Sequence, residues 1–262
     1  MARFDLTDFE RSVIAPLLPT KVRGVKRVDD RRVLNGIFWR LRTGVPWADI
    51  PVRYGPHTTC VNRFNRWRRA GHWTPILEAV SAAYEGDVQM IDSSSIRVHQ
   101  HGANGSKRGD PVAWAVRAAA LACPGLDPRT KVHALVDANG LPIALKLTAG
   151  QAHDGRSAAD MLDTLGQGDV LLADRAYDSD ALRLDMAARG AWANIKPMPN
   201  RKRRPVFSAF LYRYRNLVER FFNKLKQFRA VATRYDKRDD NFLASVQLAS
   251  IRIWLRHNES VA

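Results

Sequence analysis

One acidic side chain stands out in the most basic part of the chain. Between Arg201 and Arg238 lysine and arginine are dense, and the acids are Glu219 and Asp236. A carboxylate in such surroundings either pairs with a neighbouring cation or holds a divalent metal ion beside a phosphodiester. Helical offsets of three and four residues put a set of side chains on one face, which favours the metal interpretation. The set is Tyr212, Arg215, Glu219, Phe222 and Lys226.

Two further carboxylates follow apolar runs that predict buried strands. Asp92 comes after Val88–Ile91 and Asp174 after Val170–Ala173, so each is expected at or near the end of a strand. A single aspartate in such a place is more often a turn former or a helix cap. Three hard oxygen ligands together suit Mg²⁺, or Mn²⁺, and leave positions for water and phosphate oxygens. Asp92, Asp174 and Glu219 are therefore the predicted metal ligands and catalytic residues for metal-assisted phosphodiester chemistry.

The spacing around Glu219 is also that of a family signature. Tyr212, Arg215, Glu219 and Lys226 match all four positions of Y-x2-R-x3-E-x6-K, and the chain resembles the DDE transposases of bacterial insertion sequences, in the insertion sequence five family. The resemblance covers nearly the whole chain. The other matching segments are Gln89–Gln100, Thr130–Asp137, Leu171–Asp178 and Phe228–Lys237.

The resemblance implies a ribonuclease H-like fold and an enzyme of DNA transposition. Such an enzyme binds the ends of its element and cuts and joins DNA, with water and then a terminal 3′-hydroxyl as the nucleophile. The implied cofactor is Mg²⁺, with Mn²⁺ as a substitute, and the implied partners are double-stranded DNA of the ends and of the target. A homo-oligomer on DNA is expected. Asp92 is the expected bridging ligand, with Asp174 and Glu219 completing the site.

Three residues near Glu219 are predicted to contact DNA. Arg215, one turn before Glu219, would hold a phosphate or position that carboxylate; the alternative is an i,i+4 ion pair worth about 0.3–0.5 kcal/mol. Lys226, two turns beyond Glu219, would reach the DNA backbone, as the resemblance implies, or it is a solvated lysine. Tyr212 would contact DNA or simply pack as an aromatic side chain.

The charge of the chain predicts an anionic partner. The formal net charge is +16 and the isoelectric point is about 10.5. Arginine interleaved with tryptophan, tyrosine and phenylalanine favours nucleic acid over a membrane surface, with a merely basic protein as the alternative. No uncharged stretch reaches the roughly 18 residues of a spanning helix, and Cys60 and Cys123 lack CxxC spacing. These features predict a reduced, cytosolic protein associated with the nucleoid.

Residues 1–86 are predicted to form a small all-α helix-turn-helix domain. Its last helix, Thr58–Ala70, is rich in arginine and would enter the major groove. Arg63, Arg66 and Arg69 are therefore predicted DNA contacts, and a helical bundle with a solvated charged face is the alternative. The two preceding helices are expected from a capping box at Thr7 to Pro19 and from Asp29 to Gly44.

Residues 87–262 are predicted to form an α/β domain with a mixed sheet and flanking helices, the catalytic part of the ribonuclease H-like fold. Asp137–Gly140 is a hairpin turn signal. The predicted strands are 88–98, 131–136, 142–147, 169–173 and 191–195, and the predicted helices are 155–165, 178–189, the helix with Glu219 and a last amphipathic helix with Phe242, Val246, Ala249 and Ile253 on one face.

The sequence also permits other chemistry and other functions. A zinc site from His99, His101, His133 and His153 with an aspartate is conceivable, although the HxxxH and HExxH spacings are absent. A stand-alone metal nuclease would cut without joining. A catalytically impaired transposase derivative would only bind DNA.

Segment 113–130 departs from the family pattern. Trp114–Leu121 stands where the family typically has Met-Gly-Arg-Ser-Arg-Gly-Gly-Leu. A shift of one nucleotide in codons for that family loop would produce the apolar, alanine-rich sequence, so we hypothesise a local frameshift that ends by Thr130. The change would remove glycine flexibility and one of two arginines near the expected DNA path, and would weaken transposition.

Overall fold

The computed structural model describes residues 4–19, 28–82, 86–103, 129–157 and 159–262. Trp114–Leu121, the segment of the proposed frameshift, lies outside these ranges. The described residues form two compact units. The helical unit contains residues 4–82, 98–103 and 224–262, and the sheet unit contains residues 86–97, 129–157 and 159–223.

The described elements follow the predicted order along the chain. The helices are Asp8–Ile14 (α1), Asp30–Thr43 (α2), His57–Arg69 (α3), Trp73–Ser81 (α4), Gln100–Ala103 (α5), Asp154–Ser157 (α6), Asp180–Ala188 (α7), Ala209–Tyr212 (α8), Asn216–Lys226 (α9), Arg229–Ala232 (α10) and Asp239–Val261 (α11). The strands are Val88–Val98 (β1), Arg129–Val136 (β2), Pro142–Ala149 (β3), Val170–Ala173 (β4), Trp192–Ile195 (β5) and Thr233–Arg234 (β6).

The first helix begins at the predicted capping box. The N–H of Glu10 donates to Thr7 Oγ1 at 3.0 Å, and the N–H of Thr7 donates to Glu10 Oε2 at 2.7 Å. Glu10 is buried and forms an ion pair with Arg252 of α11 at 2.7 Å. A residue that caps one helix therefore also ties it to the last helix of the chain.

The last helix belongs to the helical unit, which differs from the predicted division into 1–86 and 87–262. The predicted stripe of α11 is buried, with Phe242, Val246 and Ala249 fully enclosed. Gln247 Nε2 donates to Thr74 Oγ1 of α4 at 2.9 Å. The physical reason is that α11 covers its apolar face with α1 to α4.

The sheet of the second unit is mixed, as predicted. Its strand order is β3-β2-β1-β4-β5. β2 pairs antiparallel with β1 and with β3, whereas β4 pairs parallel with β1 and with β5. β4 pairs with the first residues of β1, Val88–Met90, whereas the rest of β1, including its middle, pairs with β2.

The core of the sheet unit lies on one face of these strands. It combines apolar strand residues with α7 and the turns before it, and its members include Ile91, Leu135, Leu171, Tyr177 and Met186. Because the strands are anchored by this core, the polar residues at their ends have fixed positions.

The predicted helix 155–165 is wrong. The chain forms the short helix α6 and then a 3₁₀ turn, Ala159–Met161. The side chain of Lys146 reaches this segment, where Nζ donates to the carbonyl of Ser157 at 2.9 Å and pairs with Asp160 at 2.7 Å. These contacts join residues more than ten positions apart, and the local sequence pattern does not contain them.

Candidate active site

The candidate site is built on the central strand of the sheet. Asp92 lies in β1, the predicted strand 88–98, opposite Ala134 of β2. It is the fifth of eleven residues, whereas we expected it at or near the end of a strand. On the other side, Met90 lies opposite Leu172 of the parallel strand β4. Asp174 is the residue directly after β4, two positions beyond Leu172. Its charge raises the pKa of Asp92, so the two carboxylates lie in the same part of the site.

Asp174 stands where β4 ends and a helical turn begins. The turn is Arg175–Tyr177, and Asp174 is its cap. Oδ1 of Asp174 accepts a hydrogen bond from the N–H of Ala176 at 2.8 Å. This aspartate is therefore a helix cap, and the cap also restrains its side chain beside Asp92.

Arg215 joins two of the predicted carboxylates, although it is far from Asp92 in the sequence. Its Nη1 donates to Asp92 Oδ2 at 2.9 Å. Its Nη2 donates to Glu219 Oε1 in a short contact. The Asp92 and Arg215 side chains are 18% and 17% exposed, whereas Glu219 is 52% exposed. The site is thus open to solvent on the Glu219 side and enclosed at the sheet.

The signature residues do not form one continuous helix, contrary to the prediction. Tyr212 ends α8, Arg215 ends a 3₁₀ turn, Arg213–Arg215, and Glu219 lies in the first turn of α9. The guanidinium carbon of Arg215 nevertheless lies 5.7 Å from the centre of the Tyr212 ring, and Lys196 Nζ lies 5.5 Å from the same ring. Cations therefore flank the Tyr212 ring.

Burial and the neighbouring carboxylates shift the pKa values of two residues of the site, Asp92 and Tyr212. The pKa of Asp92 is raised to about 6, mainly by burial. The charge of Asp174 acts in the same direction, while the N–H of Ser93 and the guanidinium of Arg215 oppose it. Burial also raises the pKa of the Tyr212 phenol, to which Asp174 and Asp92 contribute. A bound cation would stabilise the ionised form of Asp92.

The donor set fits a divalent ion chemically, and Arg215 competes for it. Asp92, Asp174 and Glu219 supply the hard oxygen atoms that Mg²⁺ and Mn²⁺ prefer. In the arrangement described, no three His, Cys, Asp or Glu residues within the described ranges converge closely enough to hold a metal ion. A cation on Asp92 and Glu219 would compete with the guanidinium of Arg215 for the same oxygens, Asp92 Oδ2 and Glu219 Oε1.

The histidines are placed in other contacts. His133 is buried, with Nε2 2.7 Å from Thr148 Oγ1. The rings of His99 and His101 stack at 5.1 Å, and His99 also stacks on Tyr235 at 4.6 Å. Three of the four histidines of the zinc alternative, His99, His101 and His133, therefore have aromatic or hydroxyl partners.

Glu219 is positioned by the hairpin turn between β2 and β3. The buried Asp137 accepts hydrogen bonds from the N–H groups of Asn139 and Leu141, both at 2.8 Å, and shapes the turn. Gly140 has a φ of 72°, and a Cβ placed on it would lie 2.9 Å from the carbonyl oxygen of Leu217 in α9. The turn thus packs closely on the first turn of the helix that carries Glu219. The sequence predicted the turn but not this contact.

The segment before the signature is held by Asn194 of β5. This buried side chain donates to the carbonyl of Ser208 at 3.1 Å and accepts from the N–H of Ser208 at 2.8 Å. Ser208 in turn caps α8, which ends at Tyr212. The paired hydrogen bonds imitate a strand pairing and fix the direction in which the chain approaches the site. Asn194 was not among the predicted site residues.

The family follows from the sequence comparisons. Residues 83–254 match the model described as "Transposase DDE domain". Residues 6–77 match the model described as "Putative transposase of IS4/5 family". The chain belongs to the DDE transposase family. It is an enzyme of DNA transposition, as the signature predicted.

Relatives of the transposase agree with this assignment. A Brucella ovis protein described as "Putative transposase for insertion sequence element IS6501" is 43% identical over 128 residues, which is 48% of this chain and 98% of the relative. A Burkholderia cepacia protein described as "Putative transposase for insertion sequence element IS402" is 33% identical over 124 residues, which is 43% of this chain and 56% of the relative.

The fold of the transposase also has a structural counterpart. A cryo-EM structure of the piggyBac transposase synaptic complex with hairpin DNA matches with a TM-score of 0.50 and 11% identity, covering 98% of this chain and 72% of that chain. At this identity the match concerns the fold alone, and it supports the predicted ribonuclease H-like α/β class with its preceding helical region.

The predicted DNA contacts of the helical unit differ in exposure. Arg66 and Arg69 of α3 are exposed, as is Lys226 of α9. Arg63 is only 4% exposed and forms an ion pair with Asp30 of α2. Its prediction as a phosphate contact is corrected, because its guanidinium is enclosed by the packing of α2 and α3.

In the ranges described, the transposase has no helix that is both long and apolar enough to cross a bilayer.

Proposed function

We propose that the transposase cuts and joins DNA with divalent metal ions held by Asp92, Asp174 and Glu219. The observation that supports this most strongly is the meeting of Asp92 and Glu219 through Arg215, two carboxylates from distant parts of the chain. Bound Mg²⁺, or Mn²⁺, would activate the attacking oxygen and stabilise the leaving oxygen of an in-line displacement.

The protein's own residues have separable tasks in this proposal. Asp92 is held by the central strand and Asp174 by its cap, so both present oxygens with little freedom. Arg215 holds Asp92 and Glu219 together and can turn to a phosphate oxygen, because a guanidinium binds carboxylate and phosphate in the same bidentate geometry.

The DNA surfaces form the second part of the proposal. Arg66 and Arg69 of α3 contact phosphates of the element end, while Tyr212, Arg215 and Lys226 contact DNA near the cleaved bond. The basic charge of the chain and the exposure of Arg66, Arg69 and Lys226 support these assignments. We propose a homo-oligomer on double-stranded DNA at the nucleoid, with residues 1–86 as the end-binding part and residues 87–262 as the catalytic part.

The test uses purified full-length protein and a duplex that carries the inverted repeats flanking its gene. Strand cleavage and strand transfer are measured with and without Mg²⁺ or Mn²⁺. Asp92→Asn, Asp174→Asn and Glu219→Gln keep the side-chain shape but remove a charged ligand. Each is expected to abolish cleavage in either metal and to retain binding of the duplex.

Asp163→Asn is the matched control, because Asp163 is an acid of the same unit whose side chain is 73% exposed and pairs with Arg189. It is expected to cleave like the wild type. Cleavage at the wild-type rate by any of the three site variants would contradict the metal assignment. Binding without cleavage by the wild type would instead favour the catalytically impaired derivative.

A further inference from the structure

A basic cavity in the helical unit is separate from the predicted DNA contacts. Its volume is about 300 Å³. Three helices contribute cationic or polar groups to it, and its floor is apolar, with Phe228 and Ile253. The polar lining residues are Arg42, Lys224, Gln227, Arg256, His257 and Ser260.

The cavity follows from the spacing of residues on two helices. In α11, Ile253, Arg256, His257 and Ser260 are separated by offsets of three, four and seven, so they lie along one face. In α9, Lys224 faces the cavity, whereas Lys226 of the family signature lies about 200° further around the helix. The cavity is therefore a different surface from the one predicted around Lys226.

The partners of Arg42 include an amide and two aromatic rings. Its Nη1 and Nη2 both donate to Gln227 Oε1 at 3.2 Å. Its guanidinium carbon lies 5.4 Å from the ring centre of Phe228 and 5.9 Å from that of Phe4. A guanidinium stacked between aromatic rings keeps its charge and its direction.

The cavity is lined by cations from three helices, Arg42 of α2, Lys224 of α9 and Arg256 of α11. Among the described residues that line it, none is acidic. Arg42 lies in the last turn of α2, and Lys224 in the last turn of α9, where the helix dipoles stabilise cations. Helix dipoles are an alternative explanation for these two cations, but Arg256 lies more than a turn before the end of α11. An anion bound in the cavity would lie beside both Lys224 and Arg256.

We propose that this cavity binds a phosphate group of the DNA backbone. Arginine forks, a lysine and hydroxyl, amide and imidazole groups are the donors that bind phosphate in a protein site. The volume is at the lower end of the range for ligand sites and suits a single sugar-phosphate unit. The site would contact only the phosphate of the backbone, so its binding would not depend on the base sequence. It rests on DNA as the partner and is independent of the proposed metal site.

The first experiment measures the salt dependence of binding to a duplex of unrelated sequence, in EDTA so that no cleavage occurs. Arg256→Gln is expected to lower the slope of log K against log salt by about 0.9, the value for one lost phosphate contact. Lys224→Gln is expected to act in the same direction. Arg11→Gln is the matched control, because Arg11 is exposed on α1 in the same unit and does not line the cavity.

An Arg256→Gln slope equal to that of Arg11→Gln overturns the proposal, provided that thermal unfolding shows both variants folded. If the wild type itself fails to bind duplex DNA, the proposed function fails as well. If the wild type binds DNA and the cavity variants leave the salt slope unchanged, the cavity assignment alone fails.

The second experiment separates DNA from small phosphate compounds. The ring signals of His257 are followed by NMR on addition of a short duplex, and separately of inorganic phosphate against chloride at equal ionic strength. Movement with the duplex, reversed by competing phosphate, supports the proposal. Movement with phosphate but not with the duplex assigns the cavity to a small phosphate compound and overturns the proposal.

Discussion

Replacing Gly140 by alanine is expected to displace the helix that carries Glu219. Gly140 has a φ of 72°, and a Cβ there would meet the carbonyl oxygen of Leu217 at 2.9 Å and its Cβ at 3.2 Å. Leu217 is in the first turn of α9, two residues before Glu219. The atom that the new methyl group meets first is backbone, so the helix or the hairpin must move.

The expected magnitude has two parts. A left-handed conformation costs an alanine about 1–2 kcal/mol, and overpacking costs about 1–3 kcal/mol, so Gly140→Ala should destabilise the fold by about 2–5 kcal/mol. A displacement of about 1 Å at a catalytic group can reduce the rate on the order of 100-fold. Activity should therefore fall more than the loss of folded protein explains.

Gly168→Ala is the control that separates the conformational cost from the cost of overpacking. Gly168 has a φ of 90°, and, apart from Gly168 and its two chain neighbours, no described residue has an atom within 4 Å of the position of an added Cβ. This variant of the same unit should show only the conformational cost, about 1–2 kcal/mol, with wild-type cleavage. Urea unfolding measures the first quantity, and single-turnover cleavage of saturating end DNA below the unfolding transition measures the second. Equal cleavage by both folded variants would refute the positioning of Glu219 by the hairpin.

Three further predictions concern other parts of the molecule. Arg66→Gln and Arg69→Gln should each lower the slope of log K against log salt for end binding by about 0.9, as measured by fluorescence anisotropy. Arg63→Gln should instead lower the melting temperature in thermal unfolding, because the ion-pair partner of Arg63, Asp30, is left partly buried without its cation. Burial lowers the pKa of His133 from 6.5 to about 4. The free energy of unfolding should therefore have its full value above pH 6.5 and should fall by about 3 kcal/mol as the pH falls towards 4. Denaturation at several pH values should show this slope, and His133→Gln should reduce it. Replacing Trp114–Leu121 by Met-Gly-Arg-Ser-Arg-Gly-Gly-Leu should raise transposition in a cell-based assay, and equal activity of the two proteins would contradict the frameshift hypothesis.

The sequence was sufficient wherever the determining interactions are local. The capping box at Thr7 depends on groups three residues apart, and the hairpin at Asp137–Gly140 on one turn. Apolar periodicity predicted β1 and the buried face of α11. The spacing of the signature identified the family and predicted Glu219 as a site residue, because residues three or four positions apart lie on the same face of a helix.

Only the tertiary structure decided which distant residues meet. Arg215 reaches Asp92 across 123 positions of sequence, and Arg63 reaches Asp30 across 33. The close approach of Gly140 to Leu217 likewise depends on how two elements pack. Local sequence patterns indicate which face of a helix or strand is polar or apolar. The packing of the whole chain determines which other element that face contacts. For that reason the same residue type, arginine, is exposed at positions 66 and 69 and enclosed at position 63.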